Sequence, residues 1–321
     1  MAFEEVRGHG RVRELLWRAL AAGRLPPALL LSGPEGVGKR TLALAVGRAL
    51  VCPERGECRP RCAACRRAVQ GAHPDVVLVQ PETQVIKIAQ VRDVVRAIMG
   101  RPFEARARAV VIDDAHALTE EAANSLLKSL EEPPSTSHVL LVTAAPQALL
   151  PTIRSRCQTL RMGPLPAAVL EEYLRSEAGL DAEEARLRAA LAAGSVGAAL
   201  AFESEAYRSV REQLLALLEG PRGALARAEA AERIADMEDP LGALAVLRSL
   251  LRDVEAIRAG GGPERLLNRD VAERLGGLAG GHLGGRALGL MTLAGESIER
   301  LQGNANKLLA MDLLVEAVAG D

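Results

Sequence analysis

The sequence predicts a chain in three parts: an α/β core around a parallel sheet at residues 1–163, a small helical segment at 164–205, and an all-helical domain at 206–321. Three observations lead there. Up to residue 163, short apolar runs alternate with amphipathic stretches, as buried strands alternate with crossover helices. One of these runs, Leu29-Leu30-Leu31, leads directly into a glycine-rich loop and a helix-like stretch. Beyond Gly163-Pro164-Leu165-Pro166 the chain turns to Ala, Leu, Glu and Arg without β-branched runs, the composition of helices.

The strands are expected, in order, at Ala28 to Leu31, Val76 to Val79, Ala109 to Ile112, His138 to Thr143 and Thr159 to Met162. The stretches between them read as helices. Thr119 suits the cap of a helix opening with Glu120 and Glu121; Ala123, Leu126, Leu127 and Leu130 mark its buried face, and Pro133-Pro134 ends it. In the last part, Gly260-Gly261-Gly262-Pro263 and the glycines between Gly276 and Gly285 are expected to break helices as loops. The final segment carries more apolar residues than one helix face needs, with Leu308, Leu309, Met311, Leu313, Leu314 and Val318. It is expected inside a bundle or against a neighbour.

Composition narrows the chemistry. The 321 residues are 49% hydrophobic and 25% charged, with 40 basic against 41 acidic groups, an ordinary globular balance. At a formal charge of -1 no overall basic excess draws the chain to nucleic acid, and 2% aromatics argue against a base-stacking platform. No apolar run approaches the roughly 20 residues of a membrane helix. The start Met1-Ala2-Phe3-Glu4-Glu5 lacks the charged and apolar regions of a signal peptide. A cytoplasmic protein with reduced cysteines and no membrane contact is expected.

The strongest motif is Ser32-Gly33-Pro34-Glu35-Gly36-Val37-Gly38-Lys39-Arg40-Thr41, between a strand and a helix with Leu42, Val46, Ala49 and Leu50 on its apolar side. Gly33, Gly36 and Gly38 let backbone N–H groups converge on phosphates, the helix start adds positive potential, and Lys39 reaches the outer phosphates. This is a P-loop, and it predicts ATP or ADP as ligand; the bland reading is a structural glycine turn. Two positions depart from a hydrolytic site. Where a Ser or Thr hydroxyl would hold magnesium stands Arg40, with Thr41 one place further on. The run Ala109 to Ile112 ends in Asp113, suited to orient a metal, followed by Asp114, one methylene shorter than the Glu of a hydrolytic machine. Magnesium is therefore expected to be poorly held and hydrolysis weak or absent.

Four cysteines, Cys52, Cys58, Cys62 and Cys65, follow the spacing C-x5-C-x3-C-x2-C, with Pro53, Gly56 and Pro60 supplying turns. Four thiolates this close can close a tetrahedral zinc site with no open position, hence a structural one; the bland reading is four free thiols. Cys157 reads as a buried small residue. Further on, Arg154 and Arg156 lie at a short helix before a strand, and by themselves read as a solvated charge pair.

Together with Gly8-His9-Gly10-Arg11-Val12, His73-Pro74-Asp75, Ile86 to Arg92, Ala115 to Thr119, Asn124 to Pro134 and Ser155-Arg156-Cys157, these motifs make the chain resemble the clamp-loader branch of AAA+ proteins. The resemblance implies an AAA+ core, a small helical lid, and a C-terminal helical collar that joins a hetero-pentamer. Asn304-Ala305-Asn306-Lys307-Leu308-Leu309 is similar to the collar of this family. It also implies that Arg156 is an arginine finger acting in trans on the adjacent subunit's nucleotide, where a guanidinium stabilises the charge of a transferring phosphoryl group. Motor subunits of the family carry Gly-Ser-x-Arg in the lid, whereas this chain reads Gly194-Ser195-Val196-Gly197; the sensor position reads Thr143-Ala144-Ala145, without the polar residue often found after the threonine.

The resemblance therefore implies a non-hydrolysing stator of the bacterial DNA polymerase III clamp loader. Its implied partners are gamma or tau and delta subunits and, through the complex, the sliding clamp and primer–template DNA. Two other readings stand beside it. One is an ATP-hydrolysing gamma/tau-like motor with Asp114 as base and Thr41 as a shifted magnesium ligand. The other, a zinc-dependent nucleic-acid module, is disfavoured because the cysteine insert lacks a basic and aromatic surface.

Overall fold

In the computed structural model, which describes residues 3, 5–58, 61–220, 223–237, 239–281, 283–302 and 306–319, the apolar runs become five strands. These are β1 (Ala28–Ser32), β2 (Val76–Val79), β3 (Arg108–Ile112), β4 (Ser137–Thr143) and β5 (Gln158–Arg161), each within a residue of its expected bounds. They form one parallel sheet in the order β2-β3-β4-β1-β5, with Leu30 level with Leu141 and Thr159. Parallel sheets need both faces covered. Accordingly Leu29, Leu31, Val111 and Leu140 pack with α1 (Gly10–Ala21) and α2 (Lys39–Val51). The alternate residues Leu30, Val110, Ile112 and Leu141 pack on the other side with α4 (Ile88–Met99), α5 (Glu120–Glu131) and α6 (Pro151–Arg156). The short α3 (Ala63–Val69) lies between α2 and β2 in the chain.

Local chemistry starts and pins these elements. The Thr119 hydroxyl accepts a hydrogen bond from the Ala122 N–H at 3.3 Å at the start of α5, whose Ala123, Leu126 and Leu130 are buried and whose Leu127 is half-buried. Asp75, fully buried before β2, accepts from the N–H groups of Phe103, Glu104 and Ala105 at 2.7, 2.9 and 2.9 Å and from the Arg108 guanidinium at 2.9 Å. Burial alone would raise its pKa, but these donors outweigh it and hold the carboxyl below the ordinary value. The loop ahead of β3 is thereby fixed.

The described residues divide into two compact units, Met1–Ala201 and Phe202–Asp321. The expected lid helices, α7 (Ala167–Ser176), α8 (Ala182–Leu191) and α9 (Val196–Ala201), group with the sheet, around their own core of Leu170, Leu174, Ala185 and Ala199. Ser204, assigned from the sequence to the lid, instead opens α10 (Ser204–Leu218) of the second unit.

Among its described residues that unit holds α10, α11 (Ala224–Ala235), α12 (Pro240–Arg258), α13 (Ala272–Gly280), α14 (Ala287–Gln302) and α15 (Lys307–Ala319) and no strand, with two single 3-10 turns between α12 and α13. Asp253, fully buried on α12, accepts from the Asn268 N–H at 2.7 Å, and the Tyr207 hydroxyl donates to Asn268 Oδ1 at 2.6 Å. On α15, Met311, Leu314 and Val318 are buried whereas Leu308, Leu309 and Leu313 are exposed. One expectation holds only in part: Gly281, Gly284 and Gly285 fall between α13 and α14 as loop residues, but two earlier glycines do not. Gly276 and Gly277 continue α13 and do not break it; each costs about 1 kcal/mol in a helix, less than the burial of the neighbouring Leu275 and Leu278 contributes. Asn304 and Ala305 of the collar-like stretch, and Pro60 of the cysteine insert, lie outside the described residues. Among the described residues, no helix is long and apolar enough to cross a membrane.

Candidate functional site

The loop between β1 and α2 sits at the carboxyl ends of the strands, where open α/β sheets hold their ligands. Gly33 has φ 155°, and a Cβ there would lie 1.9 Å from the Met162 carbonyl oxygen, so the close approach of the chain after β5 demands glycine. Gly36 meets the lid: its carbonyl accepts from the N–H groups of Val196 and Gly197 at 2.9 and 3.3 Å, and a Cβ on it would strike Ser195 Oγ at 2.0 Å. The lid helices thus close directly on the glycine loop. From the other side the His9 ring Nε2 hydrogen-bonds the Val37 carbonyl at 2.9 Å.

These contacts border an open cavity of about 430 Å³ within the first unit. Gly36, Gly38, Lys39, Arg40, Thr41, Asp113 and Asp114 line it, with Val6, Tyr173 and Leu200 adding an apolar side. Among the predicted nucleotide residues, Gly33 does not line the cavity; its carbonyl instead accepts from Lys39. The nearly buried Lys39 Nζ donates to the Gly33 and Pro34 carbonyls at 2.8 and 2.6 Å. Burial lowers its pKa, against the raising influence of Asp114, Asp113 and Glu35.

The metal side of the cradle differs from the glycine side. Arg40 Nη1 lies 3.5 Å from Asp113 Oδ2, and its Nη2 donates to Gln80 Oε1 at 3.3 Å. Asp113 is buried, and burial followed by the charge of Asp114 raises its carboxyl pKa. Asp114 is exposed in a left-handed conformation at φ 47°. The Thr143 hydroxyl, fully buried at the end of β4, is 3.2 Å from His116 Nδ1 and accepts from the Ala145 N–H at 3.0 Å, so the Ala144 side of the cavity offers no hydroxyl.

At the other end of α2 the four cysteine sulfurs converge, all within 4.8 Å of one another. Sγ–Sγ distances are 3.5 Å for Cys52–Cys58, 3.4 Å for Cys58–Cys65 and 4.0 Å for Cys52–Cys62. Four thiolates at about 2.3 Å from a tetrahedral ion stand roughly 3.8 Å apart, so the donor set fits a metal. Backbone N–H groups of Cys62 and Cys65 donate to Cys58 and Cys62 sulfurs at 3.3 and 3.5 Å. Burial, then hydrogen bonding with the other thiols, pushes the Cys65 thiol up. Sequence reasoning missed a neighbour here. Arg48, buried on α2, donates to Cys65 Sγ at 3.9 Å and to the Gly56 carbonyl at 3.2 Å, and pairs with Glu5 at 3.0 Å. Its only signal was an arginine inside the apolar stretch from Leu42 to Val51, four residues before the first cysteine. Cys157 stands apart from this cluster, buried, with its thiol pushed up to about 12 by burial.

Arg156 closes α6 and is exposed. Its guanidinium pairs with Glu131, the last residue of α5, with Nε donating at 2.7 Å, and Nη1 donates to the Thr152 carbonyl at 2.9 Å. The cation is therefore held in a defined place at the surface.

A family model described as "DNA polymerase III, delta subunit" matches residues 8–166, a range that contains every site residue predicted above. DNA polymerase III subunit delta' of Bacillus subtilis is 40% identical over 165 residues, 51% of this chain and 50% of that one, so the match spans about half that relative's length. Subunit delta' of Pseudomonas aeruginosa is 36% identical over 231 residues, covering 70% of this chain and 69% of that one. The chain belongs to the DNA polymerase III subunit delta' family. Tau and gamma subunits also match, over smaller shares of their own length than these delta' subunits. A solved gamma subunit-related protein of Thermotoga maritima is similar at 20% identity and a TM-score of 0.42, over 95% of this chain and 98% of that one. Within this delta' family chain, the glycine loop and the cysteine cluster occupy opposite ends of a single helix, α2.

Proposed function

We propose that the chain serves as the delta'-type stator of a bacterial DNA polymerase III clamp loader in the cytoplasm. In this reading it takes ATP or ADP in the cradle without hydrolysing it and supplies Arg156 in trans to a neighbouring gamma or tau subunit. It assembles with those subunits and delta in a hetero-pentamer whose helical collar includes residues 206–321, and through the complex it acts on the sliding clamp and primer–template DNA. The observation that carries the reading is the composition of the cavity: glycines and Lys39 for phosphates, but Arg40 paired to Asp113 on the metal side and Gly197 where a motor subunit senses the γ-phosphate. Hydrolysis needs a placed base and charge neutralisation together, and both are altered here.

Cys52, Cys58, Cys62 and Cys65 would hold zinc, the ion favoured by four thiolates in a closed tetrahedron. The ion would cross-link the end of α2 to the start of α3 and take no part in chemistry.

Reconstitution with partner subunits tests the trans role. Arg156→Ala should lower the DNA-stimulated ATPase of the complex by about 10³-fold if one finger limits turnover, the low end for such arginines, with assembly unchanged on gel filtration. Unchanged ATPase removes the finger. Turnover by the isolated chain that vanishes in Lys39→Ala would favour the motor reading with Asp114 and Thr41, both of which line the cavity.

A further inference from the structure

The sequence position that should supply magnesium's hydroxyl ligand carries a cationic side chain, Arg40. In a hydrolytic P-loop a hydroxyl and a carboxylate cooperate to hold magnesium, which offsets the phosphate charge. Here the hydroxyl position is Arg40, and its guanidinium lies 3.5 Å from Asp113 Oδ2, the carboxylate on the metal side. A guanidinium has donors only and no lone pair to offer a metal. Magnesium demands six close oxygen ligands, and a fixed positive charge beside one of them repels it. Magnesium does not fit this donor set.

The pair is suited to something else. Asp113 is 8% exposed, and a buried carboxylate needs a positive partner. Gln80 accepts from the second guanidinium nitrogen at 3.3 Å, so the arginine is steadied between the ends of β2 and β3. Lys39 stands next to it with its ammonium on the Gly33 and Pro34 carbonyls. Two adjacent cations thus line the cavity.

We propose that Arg40 replaces magnesium in this cradle, so that the site takes a nucleoside polyphosphate free of divalent cation. The proposal rests on the nucleotide-binding reading above and adds which form of nucleotide is recognised. It makes the chain insensitive to magnesium at a site where a motor subunit depends on it.

Calorimetric titration of the full chain with ADP and with ATP, in EDTA and in excess magnesium, tests this. The wild-type affinity should be the same in both buffers within about threefold. Arg40→Ser, which restores the hydroxyl, should bind about tenfold or more weakly in EDTA, the scale of one charge-assisted contact, and recover when magnesium is added. Manganese paramagnetic resonance gives a second readout: with ADP present, protein-bound manganese should appear in Arg40→Ser and not in the wild type. A wild-type affinity that rises tenfold with magnesium, or bound manganese in the wild type, overturns the proposal alone. Absence of nucleotide binding by the wild type in both buffers overturns the nucleotide reading itself, and this proposal with it.

Discussion

The two ends of α2 are built in opposite ways. At its C-terminal end three of four cysteine sulfurs belong to buried residues, the donors already stand at metal-binding separations, and a buried arginine backs them. At its N-terminal end the glycine loop borders an open cavity, and Lys39 is occupied by the loop's own carbonyls. A closed donor set has one use, to tie segments together. An open one with its cation parked on the backbone suits the exchange of ligands that the proposed function requires, because the lysine has only neutral carbonyls to leave. Both ends depend on the same helix, which Glu5 also touches: it lines the cavity and pairs with Arg48.

The largest effect should come from breaking the closed end. Cys65→Ser is expected to remove essentially all bound zinc, measured by elemental analysis, and to expose the 52–65 insert to protease while the sheet survives. A wild type without metal would mean that the cluster is four thiols without an ion, and zinc retained by the variant would mean that Cys65 is not a required ligand. Next is Asp75→Asn, which strips a buried carboxylate from Arg108 and should cost about 3–5 kcal/mol in chemical denaturation. The pH dependence follows from the sign. Because the folded pKa of Asp75 is depressed, its contribution is present at neutral pH, above the ordinary carboxylate range, and is lost as pH falls below that range. The variant's stability should therefore fall less steeply in acid than the wild type's.

A smaller effect is expected at the arginine behind the cysteines. Arg48→Met should weaken zinc retention against a chelator by about 10- to 100-fold, as loss of a group supporting metal ligands does, with the fold intact. ADP affinity measured on the same variant decides whether the two ends are independent. An unchanged value separates them; a shift of tenfold would show that Glu5 carries the state of the metal end to the cavity.

Much of this was readable before any coordinates. The strands were readable because burial on both faces of a parallel sheet leaves short continuous apolar runs, as in Val76 to Val79 and Ala109 to Ile112. Gly36, Gly38, Lys39 and the four cysteines were readable because each set acts within one short stretch, where spacing is geometry. The continuation of α13 through Gly276 and Gly277 was not, since propensity counts the glycines but not the burial of Leu275 and Leu278. Nor was the hold of Glu131 on Arg156, which joins the ends of two helices.

The fold class, the glycine loop, the grouping of the four cysteines and the departures at Arg40, Asp114 and Gly197 are legible in the sequence because all are matters of residue type at local spacing. Only the tertiary structure decided what those residues meet: Arg40 against Asp113, Arg48 between Glu5 and Cys65, and the lid backbone against Gly36. Those pairings join segments far apart in the chain. For the first of them the parallel register sets the geometry: it places Ile112 level with Leu141 and Leu30, so that Asp113 follows close to the loop after β1, which no local pattern encodes.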